Sequence, residues 1–436
     1  MAHLSHPDPE SRGQLHRSAP RQDRVILHVD GNNFFASCEC LLRPELKEVP
    51  MAVAGDPESR HGIILAKNQL AKVKGVQTAE PIWQARRKCP GLVLVSPHRD
   101  TYTRISRAMN QIFLDYTDLV EPASIDESYL DLTGSLHLLG VDAKTAADRI
   151  RARVRSELGI TVSVGVSFCK VFAKLGSDYQ KPDATTCFPP EAMPTLIWPM
   201  PVGNLLYVGG KFAGQLQALG IHTIGDLAHT DPELLRRKFG ARGESAWRCA
   251  NGEDTEPVLP YDAPREVKSI GNSITFRRNL VGERELKLGF TALAESVAER
   301  MRRQQVCCHT LQIQIRDPNF RTISRQMTPE RPLFLTKELA ESAMALAAQS
   351  WDFKKPVRLL SLTAKQLSPL EDDTEQLSLF PTPGQAGRDR QGKLEDALSA
   401  IRGRFGKDAI QLGGFLGNDL GLRGSGNKLE EDDDKQ

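Results

Sequence analysis

The sequence predicts an α+β fold spread over several domains, and three observations carry that reading. Over residues 25–179, β-branched alternating runs and helical periods follow one another, but hairpin turns intervene, which disfavours a doubly wound sheet. The stretch 189–201 holds five prolines, and 251–264 is rich in acids and proline, so both read as linkers. Between them, 205–252 is helical in pattern throughout, whereas 265–367 returns to strand–helix–strand–strand–helix–strand, a compact two-layer unit.

The elements follow in order. Residues 25–30 (VILHVD) alternate and are β-branched, which makes a strand, and 34–42 (FFASCECLL) make a helix. Residues 51–54 and 62–66 form a strand pair around the turn signals of GDPESRHG. Helices over 67–74 and 82–88 lead to a strand over 92–96. Within 100–116, Tyr102, Ile105, Met109, Ile112 and Phe113 recur at helical spacing. Residues 120–132 make two short strands with Ser124, Ile125, Asp126 and Glu127 at their turn. A helix over 142–158, a strand over 161–167 (TVSVGVS) and a helix over 172–179 complete this part. Further on, helices are expected at 285–304 and 336–348, strands at 311–315 and 321–327, and one amphipathic patch at 393–405 in an otherwise acidic, glycine-rich remainder.

The 436 residues are 40% hydrophobic and 26% charged, enough to bury sizeable cores. No run reaches the roughly 18 apolar residues of a membrane span, and residues 1–23 lack the apolar core of a signal peptide. That stretch reads as a disordered leader, and a cytoplasmic protein is expected. Eight scattered cysteines do not make a disulfide scaffold, and neither Cys38/Cys40 nor Cys307/Cys308 has a second pair at zinc spacing. The net charge of +2 hides an asymmetry: residues 261–367 carry 18 basic and 11 acidic side chains, while 368–436 carry 9 and 14. A basic segment of that kind suits a polyanion such as nucleic acid, and its plain alternative is a solvated basic face.

Asp30 ends a strand of the buried type, and Asp126 and Glu127 sit at the hairpin turn. Carboxylates at strand ends can converge over one sheet edge, where their repulsion calls for a cation. Hard oxygen ligands select ions such as Mg²⁺, and two such ions suit in-line attack of a 3′-oxygen on a nucleotide phosphate. Spacing alone leaves open that these acids are ordinary turn caps.

HVDGNNFFASCE at 28–39 and SIDESYLDL at 124–132 resemble the Y-family of translesion DNA polymerases. The likeness runs from about residue 25 to 367 and is nearest to the bacterial polymerase IV group. The Asp-x-Asn form of the first motif and its Ala-Ser-Cys-Glu are also similar to the catalytic subunit of polymerase V. The resemblance implies a right-hand polymerase: a ferredoxin-like palm over 24–190 with small fingers inserted at about 40–97, a helical thumb over 191–260, an α/β little finger over 261–367, and a flexible tail over 368–436. It implies that Asp30, Asp126, Glu127 and the Gly31 carbonyl hold two Mg²⁺ ions, with Mn²⁺ as an alternative. The family often has a second Asp where Asn32 stands, which leaves this site one charge less negative. Phe35 matches the steric gate that excludes a 2′-hydroxyl, and Phe34 reads as core. Gln69 and Lys72 replace the family's Tyr-x-x-Arg on the triphosphate, with Lys lacking the guanidinium fork. Lys181 matches the triphosphate lysine, and Lys170 and Lys174 are expected near DNA or the surface.

Residues 208–221 (VGGKFAGQLQALGI) resemble a helix-hairpin-helix, in which the N–H groups of Gly209 and Gly210 meet a DNA phosphate; Tyr207 occupies the usual first glycine. Arg277 and Arg278 match the opening strand of the little finger. Alternation places Gln312, Gln314 and Arg316 on one face of the next strand, suited to duplex backbone, and Leu311, Ile313 and Ile315 on the other. Gln376, Leu377, Leu379 and Phe380 resemble the peptide that binds the bacterial β sliding clamp. The expected partners are therefore primer–template DNA, dNTP and the clamp, with no membrane and a monomeric chain. Two rivals remain at this point: a non-catalytic DNA- and clamp-binding regulator of the same fold, and a palm-type nucleotidyl cyclase that would need no template.

Overall fold

β1 (Ile26–Gly31) is buried at every position, as a strand covered on both faces must be. In the computed structural model, which describes residues 23–56, 62–264, 266–370, 385–406, 409–411, 413–415 and 417–422, β1 is the centre of a five-stranded sheet ordered β5-β6-β1-β7-β8. Its partners β6 (Glu127–Asp131) and β7 (Val162–Ser167) are antiparallel to it. β5 (Val120–Pro122) closes one edge as the hairpin partner of β6, and β8 (Thr185–Phe188) closes the other, parallel to β7.

Alternation along β1 divides the two faces. Leu27 and Val29 join a core with Tyr102, Ile105, Met109 and Phe113 of α4 (Arg99–Leu114) and with Ala147 and Ile150 of α6 (Ala143–Arg153). The α4 side chains are those that the helical spacing picks out. A short α5 (Leu136–Leu139) leads into α6. Ile26 faces the other way, against Ala173 of α7 (Lys170–Tyr179). That helix lies close on the sheet because β7 carries Gly165, where a Cβ would stand 1.9 Å from the Ala173 carbonyl oxygen.

β2 (Met51–Ala54), β3 (Ile64–Lys67) and β4 (Val93–Val95) form a second sheet ordered β3-β2-β4. The third strand, parallel to β2, turns the expected strand pair into a sheet. Ala36 and Cys40 of α1 (Phe34–Leu42) pack on Met51, Val53 and Val95. α2 (Gln69–Val73) and α3 (Ile82–Lys88) flank this sheet in sequence. Four helices follow: α8 (Gly210–Gln217), α9 (Ile224–His229), α10 (Pro232–Phe239) and α11 (Ala241–Ala250). Phe212, Leu216, Leu227 and Leu235 share a core with Phe168 and Phe172. α9 starts at a capping box: the Asp226 N–H donates to Thr223 Oγ1 (3.0 Å) and the Thr223 N–H donates to Asp226 Oδ2 (2.9 Å).

All of this except Ala54, the last residue of β2, lies in one of two units, Met1–Val53 with Ile64–Ala263; the other is Ala54–Ile63 with Pro264–Gln436. The second unit is an antiparallel sheet ordered β11-β10-β12-β9, built from β9 (Ser269–Leu280), β10 (Val306–Arg316), β11 (Thr322–Met327) and β12 (Val357–Pro369). The expected alternation holds on β10: Leu311, Ile313 and Ile315 are buried, and Gln312, Gln314 and Arg316 are half-exposed. The buried row packs with Leu293 and Val297 of α12 (Glu283–Arg303) and Leu339 and Ala343 of α13 (Thr336–Ser350).

Where residues beyond 370 are described, they depart from the flexible tail expected there. Residues 385–405 form α14 (Gln385–Phe405), whose buried Arg402 pairs with buried Glu295 at 2.5 Å and whose Glu395 pairs with Arg302. Phe415, Leu420 and Leu422 are buried in the same core. Residues 371–384, which include Gln376, Leu377, Leu379 and Phe380, lie outside the described residues, as do residues 1–22 of the leader. Among the described residues, no helix is long and apolar enough to cross a membrane.

Candidate active site

Antiparallel register sets Asp30 of β1 directly opposite Glu127 of β6, so both carboxylates stand on one face at one end of the sheet. The β5–β6 turn places Asp126 beside them. It is closed by the Ala123 and Ser124 N–H groups donating to the Glu127 carbonyl (2.8 and 3.2 Å). The Gly31 N–H donates to the Asp126 carbonyl at 2.9 Å, which ties the strand end to the turn. Gly31 suits this approach: a Cβ there would stand 3.2 Å from Asp126 Cβ and 3.1 Å from the Phe34 ring. The Ser124 hydroxyl donates to Asp126 Oδ1 at 2.9 Å and aims its carboxylate.

Two ammonium groups meet this cluster. Lys174 Nζ lies 3.0 Å from Asp30 Oδ2, 2.7 Å from Glu127 Oε1 and 3.1 Å from Asp178 Oδ2. Lys181 Nζ lies 2.8 Å from Asp30 Oδ2 and 2.9 Å from Asp178 Oδ1. Lys174 is thus mostly buried among the carboxylates rather than at the surface, where the sequence would leave it; one turn of α7 over Gly165 delivers it there. Lys170 is also buried, on Glu121 at 2.7 Å.

Burial works to raise the Asp30 carboxyl, but Lys174 and Lys181 outweigh it and hold the pKa below the ordinary value. Burial, with the Asp30 charge, pushes Asp126 up against its bond from Ser124. Burial and Asp30 likewise leave Glu127 raised despite Lys174. Burial opposes the charge on both lysines, yet the carboxylates raise them. Four carboxylates therefore face two ammonium groups, a deficit of positive charge that a hard cation would fill. The carboxylate oxygens fit such an ion by chemistry, being hard oxygen donors. Among the described residues, no three His, Cys, Asp or Glu side chains stand ready at ligand spacing, since lysine lies between them.

Phe34 is buried core, as expected, and Phe35 is half-buried. The Phe35 ring stacks on Tyr102 with centroids 4.3 Å apart and planes 13° apart. The Tyr102 hydroxyl donates to Glu39, a fully buried carboxylate that also accepts from the His98 N–H at 3.2 Å. Sequence reasoning missed this support. Tyr102 scores as plain core on helical spacing, and Glu39 carries no signal beyond its place in the first motif.

Gln69 and Lys72 are exposed on α2, which is capped by Asn68 Oδ1 accepting from the Ala71 N–H (3.0 Å); the cluster's own side-chain bonds run to Lys174 and Lys181 instead. Gly209 caps α8 and Gly210 opens it, both exposed. Tyr207 takes φ +69°, the left-handed conformation a glycine would adopt there, with its ring exposed. A cavity of about 590 Å³ lined by His28, Glu127, Tyr129, Lys174 and Tyr207 opens beside the carboxylates. In the second unit, Arg277 is exposed. Arg278 is held by Glu285 (2.6 Å) and Asp419 (2.7 Å), so its charge is already met. Arg316 Nε donates to Thr322 Oγ1 at 2.9 Å.

Residues 29–178 match the impB/mucB/samB family, and residues 267–379 match the impB/mucB/samB family C-terminal domain. The chain is 43% identical over 400 residues to DNA polymerase IV of Acetivibrio thermocellus, covering 92% of this chain and 99% of that protein. It is 38% identical over 397 residues to DNA polymerase IV 1 of Bacillus subtilis, covering 91% and 94%. It is 36% identical over 393 residues to DNA polymerase IV of Bacillus velezensis, covering 90% and 93%. With both matched segments in order and near-complete coverage of such relatives, the chain belongs to the impB/mucB/samB family, the Y-family of translesion DNA polymerases.

Proposed function

We propose that this chain is a template-directed DNA polymerase that performs translesion, low-fidelity synthesis, adding a dNTP to a primer 3′-OH. The observation that carries the reading is the register of Asp30 opposite Glu127 with Asp126 at the adjoining turn. Asp30, Asp126, Glu127 and the Gly31 carbonyl would hold two divalent ions, Mg²⁺ with Mn²⁺ as the alternative. Such ions supply Lewis-acid activation of the attacking oxygen and neutralise charge on the leaving pyrophosphate.

The chain's own residues do the rest. Lys181, at the edge of Asp30, faces the triphosphate, and Lys72 and Gln69 grip it from the fingers. Phe35, backed by Tyr102, lies under the sugar and excludes a 2′-hydroxyl. The five-stranded sheet is the palm (24–190) with the fingers at about 40–97. Helices α8–α11 are the thumb (191–260), where Gly209 and Gly210 offer N–H groups to a phosphate. The second unit's sheet is the little finger (261–367), whose polar face and Arg277 and Arg316 meet duplex backbone without reading sequence. Arg278 would first have to leave its two carboxylates. The clamp peptide of 376–380 binds the bacterial β sliding clamp, and the enzyme works as a monomer in the cytoplasm. A regulator without catalysis is not favoured, since it has no use for carboxylates in excess of cations.

Extension of a primer on undamaged and damaged templates, with and without clamp, tests this. Template-directed incorporation is expected on both, together with clamp stimulation of about 10²-fold through raised local concentration. Deleting 376–380 should remove the stimulation and keep the basal rate. No incorporation would sink the polymerase reading; stimulation that survives the deletion would sink the clamp reading alone.

A further inference from the structure

Asn32 follows the catalytic strand, is almost wholly buried, and joins three segments. Its N–H donates to the Thr161 carbonyl at 2.9 Å. Its Nδ2 donates to Ser163 Oγ on β7 at 2.9 Å, and its Oδ1 accepts the Asp183 N–H at 2.8 Å. A backbone N–H can only donate, so the amide oxygen must be the atom facing Asp183. Asp183 takes a left-handed φ of +55°, and its carboxylate receives Arg151 Nη2 at 2.9 Å. The turn between α7 and β8 is thereby fixed from both sides. Two residues before Asp183, Lys181 reaches from that turn to Asp30.

We propose that Asn32 is a positioning residue for Lys181: its carboxamide anchors the 181–183 turn so that the ammonium stands at the catalytic edge ready for the triphosphate. This rests on the reading of Lys181 as a triphosphate cation. The anchor is the acceptor oxygen rather than the amide as such. An aspartate could accept the same N–H while the Ser163 hydroxyl turns to donate. The substitution Asn32→Asp therefore keeps the anchor, and Asn32→Ala removes it. A lost anchor leaves the ammonium chemically intact but poorly placed, which weakens dNTP binding more than the chemical step.

Single-nucleotide insertion under pre-steady-state conditions tests this on the full chain, giving dNTP affinity and maximal rate separately for each variant. Asn32→Ala should weaken dNTP affinity about five- to tenfold, the size of one buried hydrogen bond, with the maximal rate within about twofold. Asn32→Asp should stay within about twofold of wild type. In a Lys181→Ala background, adding Asn32→Ala should change little, because the group it positions is gone. If Lys181→Ala leaves dNTP affinity unchanged, the triphosphate reading falls and takes this inference with it. If Lys181→Ala weakens binding but Asn32→Ala does not, or does so equally in both backgrounds, only the positioning role is overturned. Should Asn32→Ala unfold, Asn32→Ser, whose hydroxyl is too short to reach Asp183, takes its place with the same expected outcomes.

Discussion

Asp126→Ala is expected to lower single-nucleotide insertion by at least about 10³-fold while primer–template affinity stays within about threefold. The asymmetry follows from where Asp126 stands. It lies on the β5–β6 turn, aimed by Ser124 and bonded through its carbonyl to Gly31, so its carboxylate serves the cluster and not the packing. The backbone bond survives the substitution, and the fold should too. Duplex affinity comes from many phosphate contacts spread over the chain, which one acidic side chain does not supply. Rapid-quench insertion beside a filter-binding or anisotropy titration measures both halves. Insertion at a tenth of the wild-type rate or better would remove Asp126 from the reaction.

Phe35→Ala should raise ribonucleotide incorporation relative to deoxyribonucleotide by on the order of 10²-fold, mainly through the ribonucleotide. The ring is half-buried and cannot swing aside freely. Its face lies on Tyr102, and Tyr102 is pinned through its hydroxyl to Glu39. A 2′-hydroxyl would have to displace a stacked pair backed by a buried hydrogen bond. Removing the ring leaves open space there, and the barrier goes with it. Competition between dNTP and rNTP at one template position reads the ratio, and an unchanged ratio would place the gate elsewhere.

Much of this was legible because it is local. A β-branched run, a hairpin turn and a helical stripe each show within a dozen residues, so β1, the β5–β6 hairpin and α4 fall where expected. Asp30 at a strand end and Asp126–Glu127 at a turn imply a shared sheet edge once the two strands pair. What stayed hidden depends on distant partners. Lys174 sits in a helical run like any solvated lysine, and only the close packing of α7 over Gly165 turns it inward. β8 is four residues long and was missed, because it becomes a strand by lying beside β7. α14 shows in the sequence only as the amphipathic patch at 393–405, and it is held by an ion pair between Arg402 and Glu295 that spans 107 positions.

The cluster of Asp30, Asp126, Glu127 and Asp178 carries more carboxylates than the two lysines can balance, and a divalent ion would supply the difference. Titrating Mn²⁺ into the wild-type protein, followed by the loss of its free paramagnetic resonance signal, measures that directly. Saturable binding should appear in the wild type and weaken at least about tenfold in both Asp30→Asn and Asp126→Asn. Binding equal in all three proteins would contradict it.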